Sequence, residues 1–363
     1  MRDIPDVHRI AVLRANALGD FIVALPALES LRAAYPNAEL VLMGAPWHEE
    51  TLRDRPGPVD RVVVVPACAG IREPVPADPM PADQLPAFLQ TARAERFDVA
   101  LQMHGGGGNS NPIVSSLGAR VTAGLQAAHA PPLDRNLPYD FYQPEVFRYL
   151  EVAELVGAPA VTYRPRFALC DADRQEAARV APPGRAGRVV LHPGANDPRR
   201  RWPAEHFASL ARVLVQQGMD VVVTGTSGER ELVGQVCGAA GPDVRPLVGR
   251  LTLGGLAALL ARATVVVSND TGALHLAAAV DTPVVGLFWV GNVITFAQPD
   301  RRAYRPLISW RIHCPRCGAD STKELYPSRG AESGCTHRDS FLADIPVAEV
   351  VGEVEQLIRT AAA

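Results

Sequence analysis

An acidic residue beside a glycine turn is the first candidate for chemistry in the amino-terminal half of the chain. Residues 14–20 read RANALGD and follow a short apolar run, so Gly19 permits a sharp turn directly before Asp20. A carboxylate at this position could accept a proton during catalysis. Alternatively, Asp20 only caps a helix, but Pro26 favours a helix that begins near residue 26 and leaves Asp20 upstream in a loop. A single glycine also lacks the G-x-G-x-x-G spacing of a nicotinamide dinucleotide site.

A second candidate, in the carboxy-terminal half, combines a helix start with a histidine one turn later. Residues 268–275 read SNDTGALH, in which Asp270 or Thr271 can cap the helix and Gly272 leaves main-chain amides open to an anion. His275 lies four residues after Thr271 and therefore on the same helical face. The alternative is a histidine that is simply buried in an apolar helix.

Two further segments have the residue types that bind phosphate and ribose. Residues 192–202 read HPGANDPRRRW, in which Gly194 permits close approach of the main chain and the arginines at 199–201, Arg200 and Arg201 among them, supply charge. An exposed run of arginines is the alternative. Glu229, in TGTSGE at 224–229, could bind ribose hydroxyls, or it could only complement a helix dipole.

Three clustered cysteines raise the question of a metal ion. Cys314 and Cys317 have Cys-x-x-Cys spacing, Cys335 offers a third thiolate, and either His337 or His313 could be the fourth ligand. We expect a structural zinc or iron ion, remote from the candidate phosphate site, that fixes the segment before the final helix. Reduced thiols in a surface loop are the alternative.

Composition narrows the class of protein. The chain has 363 residues and a formal net charge of −3, which predicts two domains and gives no support for nucleic-acid binding. We find no stretch apolar enough to span a membrane, and the sequence MRDIPDVHRI lacks a secretory core, so we expect a cytoplasmic protein. Lys323 is the only lysine, so other cationic contacts must use arginine.

Short apolar runs alternate with amphipathic stretches, which is typical of parallel α/β sheets. The predicted strands cover 9–14, 39–43, 61–65 and 98–103 in the first half and 188–192, 220–224, 264–268 and 283–287 in the second. The predicted helices cover 26–35, 82–95, 204–218, 228–237, 253–261, 271–280 and 346–359. We therefore expect one Rossmann-like domain at 1–165, a second at 166–345 and a terminal helix at 346–363 that packs back across both.

The motifs, taken together and in order, resemble glycosyltransferase family 9, the ADP-heptose:lipopolysaccharide heptosyltransferases. The resemblance rests on the segments at 14–36, 117–124, 192–211, 221–231 and 267–288. It implies the GT-B fold, with two Rossmann-like domains facing a central cleft, of which 1–165 is the acceptor-side domain and 166–345 is the nucleotide-sugar donor domain. It also implies inverting sugar transfer from an ADP-activated donor to a hydroxyl acceptor, with no catalytic metal.

The resemblance also implies a role for each matching residue. Asp20 matches the LGD aspartate, which is taken to be the general base. The donor's diphosphate and sugar would be held by the residues of the D-[ST]-G-x-x-H element, here Asp270, Thr271, Gly272 and His275. Glu229 lies near the position that contacts the nucleotide ribose. Arg200 replaces the usual lysine, which preserves the charge but exchanges a point donor for a planar fork.

The acceptor stays open, because no segment of the sequence specifies it. We expect a glycan, a lipid-linked molecule or a protein, and some protein-directed relatives of the family carry a comparable cysteine finger. Two other functions use the same fold: a sugar-nucleotide epimerase and a protein that binds sugar nucleotide without catalysis.

Overall fold

The structure is a computed structural model that describes residues 4–75, 78–182, 184, 187–298, 302–320 and 335–362. Lys323 and the segment 321–334 between the cysteines lie outside the described residues. The chain divides into two compact units, Met1–Ala168 and Leu169–Ala363.

The first unit is a parallel six-stranded sheet with helices between its strands. Its strands are β1 Arg9–Leu13, β2 Glu39–Gly44, β3 Arg61–Val64, β4 Val99–Gln102, β5 Val121–Gln126 and β6 Arg135–Pro138. Its helices are α1 Leu18–Ile22, α2 Leu25–Ala34, α3 Pro46–Leu52, α4 Leu85–Ala94, α5 Ser110–Ser116 and α6 Glu145–Glu154, with a 3₁₀ turn at Ala82–Gln84. The strands lie in the order β3-β2-β1-β4-β5-β6.

The second unit repeats this plan. Its strands are β7 Arg188–His192, β8 Asp220–Gly225, β9 Arg245–Val248, β10 Val265–Asn269, β11 Val284–Trp289 and β12 Tyr304–Ser309. Its helices are α7 Asp171–Val180, α8 Ala204–Gln216, α9 Arg230–Ala240, α10 Leu253–Leu260, α11 Gly272–Ala279, α12 Val290–Phe296 and α13 Val347–Ala362, with 3₁₀ turns at Pro198–Arg200 and Ser227–Glu229. The strand order is β12-β11-β10-β7-β8-β9.

Both sheets have the strand order of dinucleotide-binding folds, in which the direction of winding reverses beside the first strand. The reversal lies between β1 and β4 in the first unit and between β7 and β10 in the second. Ligands of such sheets bind outside the carboxyl ends of the strands at this point. Residues 14–20 follow β1, and residues 192–202 and 268–275 span the carboxyl ends of β7 and β10, so all three segments occupy that position.

The central strands of the second sheet are apolar and buried, which explains why these parts of the sequence form a sheet. Val189, Leu191, Val265 and Val267 are fully buried, as expected for parallel strands covered on both faces. The terminal helix α13 packs against α8 and buries Val350, Val354 and Leu357 in the second unit's core. The predicted α/β class with two Rossmann-like units is therefore confirmed.

The structure also contains elements that the sequence patterns did not predict. The unpredicted strands are β5, β6, β9 and β12. Three of them, β6, β9 and β12, lie at the edge of a sheet, and each of these three includes a proline. Proline cannot donate to a strand ladder and is tolerated at sheet edges, so these strands lack the apolar runs of the central ones. Ser110 and Asn111 begin helix α5. No helix among the described residues combines the length and apolar character that a membrane crossing requires.

Candidate functional site

Asp270 lies at the centre of the candidate site in the second unit. It follows β10, its side chain is 5% exposed, and Oδ1 accepts a hydrogen bond of 3.0 Å from His275 Nε2. Oδ2 accepts one of 2.6 Å from Asn292 Nδ2 and lies 3.7 Å from Arg200 Nη1. Burial raises the pKa of Asp270, but His275, Arg200 and Asn292 together outweigh burial and hold it below its usual value. Asp270 is therefore a buried carboxylate that stays ionised near neutral pH.

Two buried nitrogen atoms beside this carboxylate have no hydrogen-bond partner in the described part of the chain. They are Nδ1 of His275 and Nε of Arg200. Buried polar atoms are nearly always paired, so atoms left open at a strand switch point indicate that a ligand completes the set. His275 is thus buried, as the alternative interpretation held, but its ring is hydrogen-bonded into the site.

Thr271 occupies the N-cap position of α11, as predicted, although its side chain makes no capping hydrogen bond. Its hydroxyl oxygen lies 3.2 Å from that of Ser268, and Gly272 is the first residue of the helix. The capping role proposed for Asp270 is wrong, because its carboxylate is bound by His275 and Asn292 instead. Because the Thr271 side chain does not cap the helix, the leading amides of α11 are available to an anion.

The three arginines at 199–201 differ in their surroundings. Arg199 forms a fork with Asp197, with Nη2 2.6 Å from Oδ2, whereas Nε of Arg201 donates to the Ala195 carbonyl oxygen at 2.9 Å. Arg200 alone is directed towards Asp270. The run is therefore not a uniformly solvated charged face, and Arg200 is its member at the candidate anion site.

Glu229 and Gly194 contact each other. A Cβ atom added to Gly194 would lie 1.8 Å from Glu229 Oε1, so a larger residue here would require the Glu229 carboxylate to move. Glu229 Oε2 accepts hydrogen bonds from the main-chain N and Oγ1 of Thr226 at 2.8 and 2.9 Å. Glu229 thus completes a capping box, and this contact fixes where its carboxylate lies.

Two asparagines in this region were not predicted. Asn292 on α12 is fully buried and binds Asp270. Asn269 accepts a hydrogen bond from Trp202 N at 3.0 Å and donates to the carbonyl oxygen of Pro193 at 2.8 Å, so it joins the two candidate loops. The only sequence signal is position: Asn269 ends the strand β10, and Asn292 interrupts the apolar residues at the start of α12.

In the first unit, Asp20 lies in the five-residue helix α1, whose N-cap is Ala17. The predicted loop position is therefore wrong, and so is the alternative that Asp20 caps the following helix. The Asp20 side chain is 28% exposed, and its Oδ1 lies 3.2 Å from Nη2 of Arg14. A partly exposed carboxylate held by a buried arginine can accept a proton from a ligand.

The cysteine cluster has the geometry of a metal site. Cys314, Cys317, Cys335 and His337 bring their ligand atoms within 4.8 Å of one another. His337 Nδ1 lies 3.7 Å from the sulfurs of both Cys314 and Cys335, and the sulfurs of Cys317 and Cys335 are 3.6 Å apart. Tetrahedral coordination with zinc–sulfur bonds of about 2.3 Å places sulfurs about 3.8 Å apart, so the residues fit a metal ion. The structure brings His337, rather than His313, to the thiols.

Electrostatics also favour thiolate at one ligand. The main-chain amides of Cys317 and Arg316 lower the pKa of Cys314 to about 7, towards the ionised form that binds metal.

The segment that follows the cluster contacts the main chain of the arginine segment. Phe341 N donates to the Arg199 carbonyl oxygen at 2.8 Å, and the Ser340 hydroxyl donates to the Arg201 carbonyl oxygen. Both residues follow His337 closely in sequence. The segment that supplies the histidine ligand therefore also fixes the main chain on either side of Arg200.

Comparison with known proteins shows which family this chain resembles. The family model for glycosyltransferase family 9 (heptosyltransferase) matches residues 86–307, more than half of the chain. Lipopolysaccharide heptosyltransferase 2 of Salmonella typhimurium is 36% identical over 101 residues, which cover 26% of this chain. That match spans 29% of the length of the relative.

Solved structures share the fold at low sequence identity. E. coli ADP-heptose LPS heptosyltransferase II has a TM-score of 0.73 at 19% identity, over 98% of this chain and 100% of that chain. The iron-containing dodecameric glycosyltransferase TibC from enterotoxigenic E. coli H10407 has a TM-score of 0.55 at 15% identity, over 99% and 78%. Together with the two sheets, these matches confirm the predicted GT-B fold class. The ordered motifs and the matching family model lead to one conclusion: the chain belongs to glycosyltransferase family 9.

Proposed function

We propose that this protein is an inverting glycosyltransferase that moves a heptose, or a related sugar, from an ADP-activated donor to a hydroxyl acceptor. The observation that carries the proposal is the buried Asp270 carboxylate with His275, Asn292 and Arg200 around it. The open nitrogens of His275 and Arg200 lie where a sheet of this order binds a nucleotide. A structural relative is described as an ADP-heptose enzyme, which supports the choice of donor.

On the donor side, the charges are suited to a leaving diphosphate. Arg200 and the amides at Thr271 and Gly272 would bind its phosphate oxygens, and His275 would supply a further contact. Gly194 permits close approach of the nucleotide beside Glu229, which would accept hydrogen bonds from the ribose hydroxyls. Arg201 would supply a further phosphate contact, while its Nε donates to the Ala195 carbonyl oxygen.

On the acceptor side, Asp20 would act as the general base. Its carboxylate accepts the acceptor's proton while the hydroxyl oxygen attacks the anomeric carbon. The bond from that carbon to the diphosphate breaks, and its electron pair leaves with ADP. Positive charge around the diphosphate stabilises the leaving group, so the step requires no catalytic metal.

The test is incubation with ADP-heptose and candidate acceptors, namely lipopolysaccharide core glycans, lipid-linked glycans and proteins. Transfer with release of ADP supports the proposal. Epimerised nucleotide sugar without transfer would instead identify an epimerase, and binding without either product would identify a non-catalytic protein. A thermal-shift screen of nucleotide sugars tests the donor separately, since a bound donor stabilises the fold by mass action.

The cysteine cluster supports a structural metal ion and bears on the acceptor. Cys314, Cys317, Cys335 and His337 would hold zinc or iron, which would fix the segment before α13. TibC is described as an iron-containing glycosyltransferase, which supports a metal ion in this chain and makes a protein acceptor the first alternative to a surface glycan. Elemental analysis of protein purified without a metal-affinity tag should find bound zinc or iron. A content below about 0.2 equivalents of zinc and iron per protein, with all three cysteines reacting in a thiol titration, would contradict a metal site and identify the segment as a surface loop.

The cytoplasm remains the proposed compartment. All six cysteines are free, as is usual for proteins in a reducing environment.

A further inference from the structure

Arg14 is a buried arginine at the carboxyl end of β1, and it contacts Asp20 in more than one way. Nε and Nη2 donate to the Asp20 main-chain oxygen at 2.9 and 2.7 Å. Nη2 also donates to Asp20 Oδ1 at 3.2 Å. The Arg14 side chain is only 2% exposed, whereas that of Asp20 is 28% exposed. One guanidinium therefore fixes both the main chain and one carboxylate oxygen of Asp20.

The other side of the same guanidinium is anchored in the unit's core. Nη1 donates to the Met103 carbonyl oxygen and to the Tyr149 hydroxyl, both at 2.7 Å. The guanidinium carbon lies 4.5 Å from the centre of the Tyr149 ring. With these contacts, all five N–H donors of Arg14 have an acceptor. Asp20 is thereby connected to the strand end at Met103 and to helix α6.

A third layer holds Tyr149 in place. Its hydroxyl donates to Glu145, whose carboxylate also pairs with Arg148 and lies 3.8 Å from Arg14 Nη2. Burial raises the pKa of Tyr149, so the phenol keeps its proton to donate. The positive charges of Arg14 and Arg148 are balanced by the carboxylates of Asp20 and Glu145, which allows Arg14 to be buried.

Among the described residues, Asp20 Oδ2 has no hydrogen-bond partner, whereas Oδ1 is held by Arg14. The carboxylate is therefore fixed through one oxygen and presents the other to a ligand. A general base must lie within hydrogen-bond reach of the proton that it takes, so its orientation limits the rate.

We propose that Arg14 is the positioning residue for Asp20: its guanidinium, anchored on Met103 and Tyr149, sets the place and orientation of the carboxylate. This inference rests on the proposed function, in which Asp20 is the base. Lysine cannot replace Arg14, because a single ammonium group cannot reach acceptors on both sides of a planar fork.

The test is Arg14→Lys, with Arg188→Lys as the matched control. Arg188 is also a buried arginine whose fork spans a carboxylate and two carbonyl oxygens, those of Asp220, Ala181 and Pro182, at the amino end of β7. We expect Arg14→Lys to lower kcat by about 10²-fold, the effect of a misplaced group, while KM for the donor and ADP affinity stay unchanged. Arg188→Lys should lower Tm without changing kcat.

A second readout does not depend on turnover. Hydrogen exchange of the peptide that contains helix α1 should become faster in Arg14→Lys than in the wild type and stay unchanged in Arg188→Lys. Tyr149→Phe, which keeps the ring and removes one anchor, should change exchange in the same direction and serves if Arg14→Lys does not fold.

The possible outcomes separate the two ideas. Unchanged kcat in Arg14→Lys, or unchanged exchange at α1, would overturn the positioning role. Wild-type turnover in Asp20→Asn would overturn the proposed base, whereas exchange at α1 would still report whether Arg14 holds that segment.

Discussion

Replacing Asn292 by alanine removes the amide that donates to Asp270 Oδ2 at 2.6 Å. Both residues are buried, so water does not screen the contact, and a hydrogen bond to a charged group contributes about 1.5–3 kcal/mol. A water molecule could enter the space left by the amide, which places the expected loss near the lower end of that range. If the same contact holds Asp270 for the donor, ADP affinity falls about tenfold, since 1.4 kcal/mol corresponds to one decade.

The loss of folding stability in Asn292→Ala should depend on pH. The folded-state pKa of Asp270 lies below its usual value, so this carboxylate stabilises the fold above the unfolded pKa, and its contribution is lost as pH falls through the folded pKa. Asn292 is one of the groups that lower this pKa. Asn292→Ala therefore raises it, and acid unfolding of the variant should begin at a higher pH than in the wild type.

The assay combines denaturant unfolding across pH with calorimetric titration of ADP. Asn111→Ala is the matched control, because Asn111 is equally buried but donates to the carbonyl oxygens of Leu125 and Pro131 in the first unit. The control should lose stability and keep its ADP affinity. If Asn292→Ala also keeps its ADP affinity, or shows no shift in acid unfolding relative to the control, Asn292 does not hold Asp270 for a ligand.

Three further predictions concern other parts of the site. Asp20→Asn should lower turnover by about 10²–10⁴-fold while ADP affinity stays constant, and unchanged turnover in steady-state kinetics would show that Asp20 is not the base. Arg200→Ala should weaken ADP binding by about 1.5–3 kcal/mol and spare adenosine, whereas Glu229→Ala should weaken adenosine binding; calorimetry with both ligands would expose a misplaced ribose. Removing a metal from the cluster with a chelator should lower Tm and weaken ADP binding, because the segment that follows the cluster holds the Arg199 carbonyl oxygen through Phe341. Full ADP affinity in the metal-free protein would contradict this link.

The central strands could be predicted from sequence because burial on both faces makes them nearly continuous apolar runs, as in Val265–Asn269. Three outer strands, β6, β9 and β12, could not, since an edge strand such as Arg245–Val248 tolerates proline and charge. Whether such a segment pairs as a strand depends on the neighbouring strand of the sheet, and that strand lies elsewhere in the sequence.

The candidate site shows the same division. His275 was identifiable because its spacing from Thr271 is local, and helix geometry converts spacing into a shared face. The partners of Asp270 were not, because Asn292 comes from another helix 22 residues away. The loop position expected for Asp20 was wrong because Pro26 marks the start of α2 but carries no information about the short helix before it.

The two switch points have a consequence for how such a protein can diversify. Arg14 and Asp20 depend on β1, β4 and α6, all within Met1–Ala168, whereas Asp270, His275 and Asn292 depend on elements within Leu169–Ala363. Substitutions that retune one set therefore leave the hydrogen bonds of the other intact. Selection, or an engineer who recombines homologous halves, could therefore change the proposed nucleotide-sugar site in the second unit and retain the proposed base, Asp20, with its hydrogen bonds in the first.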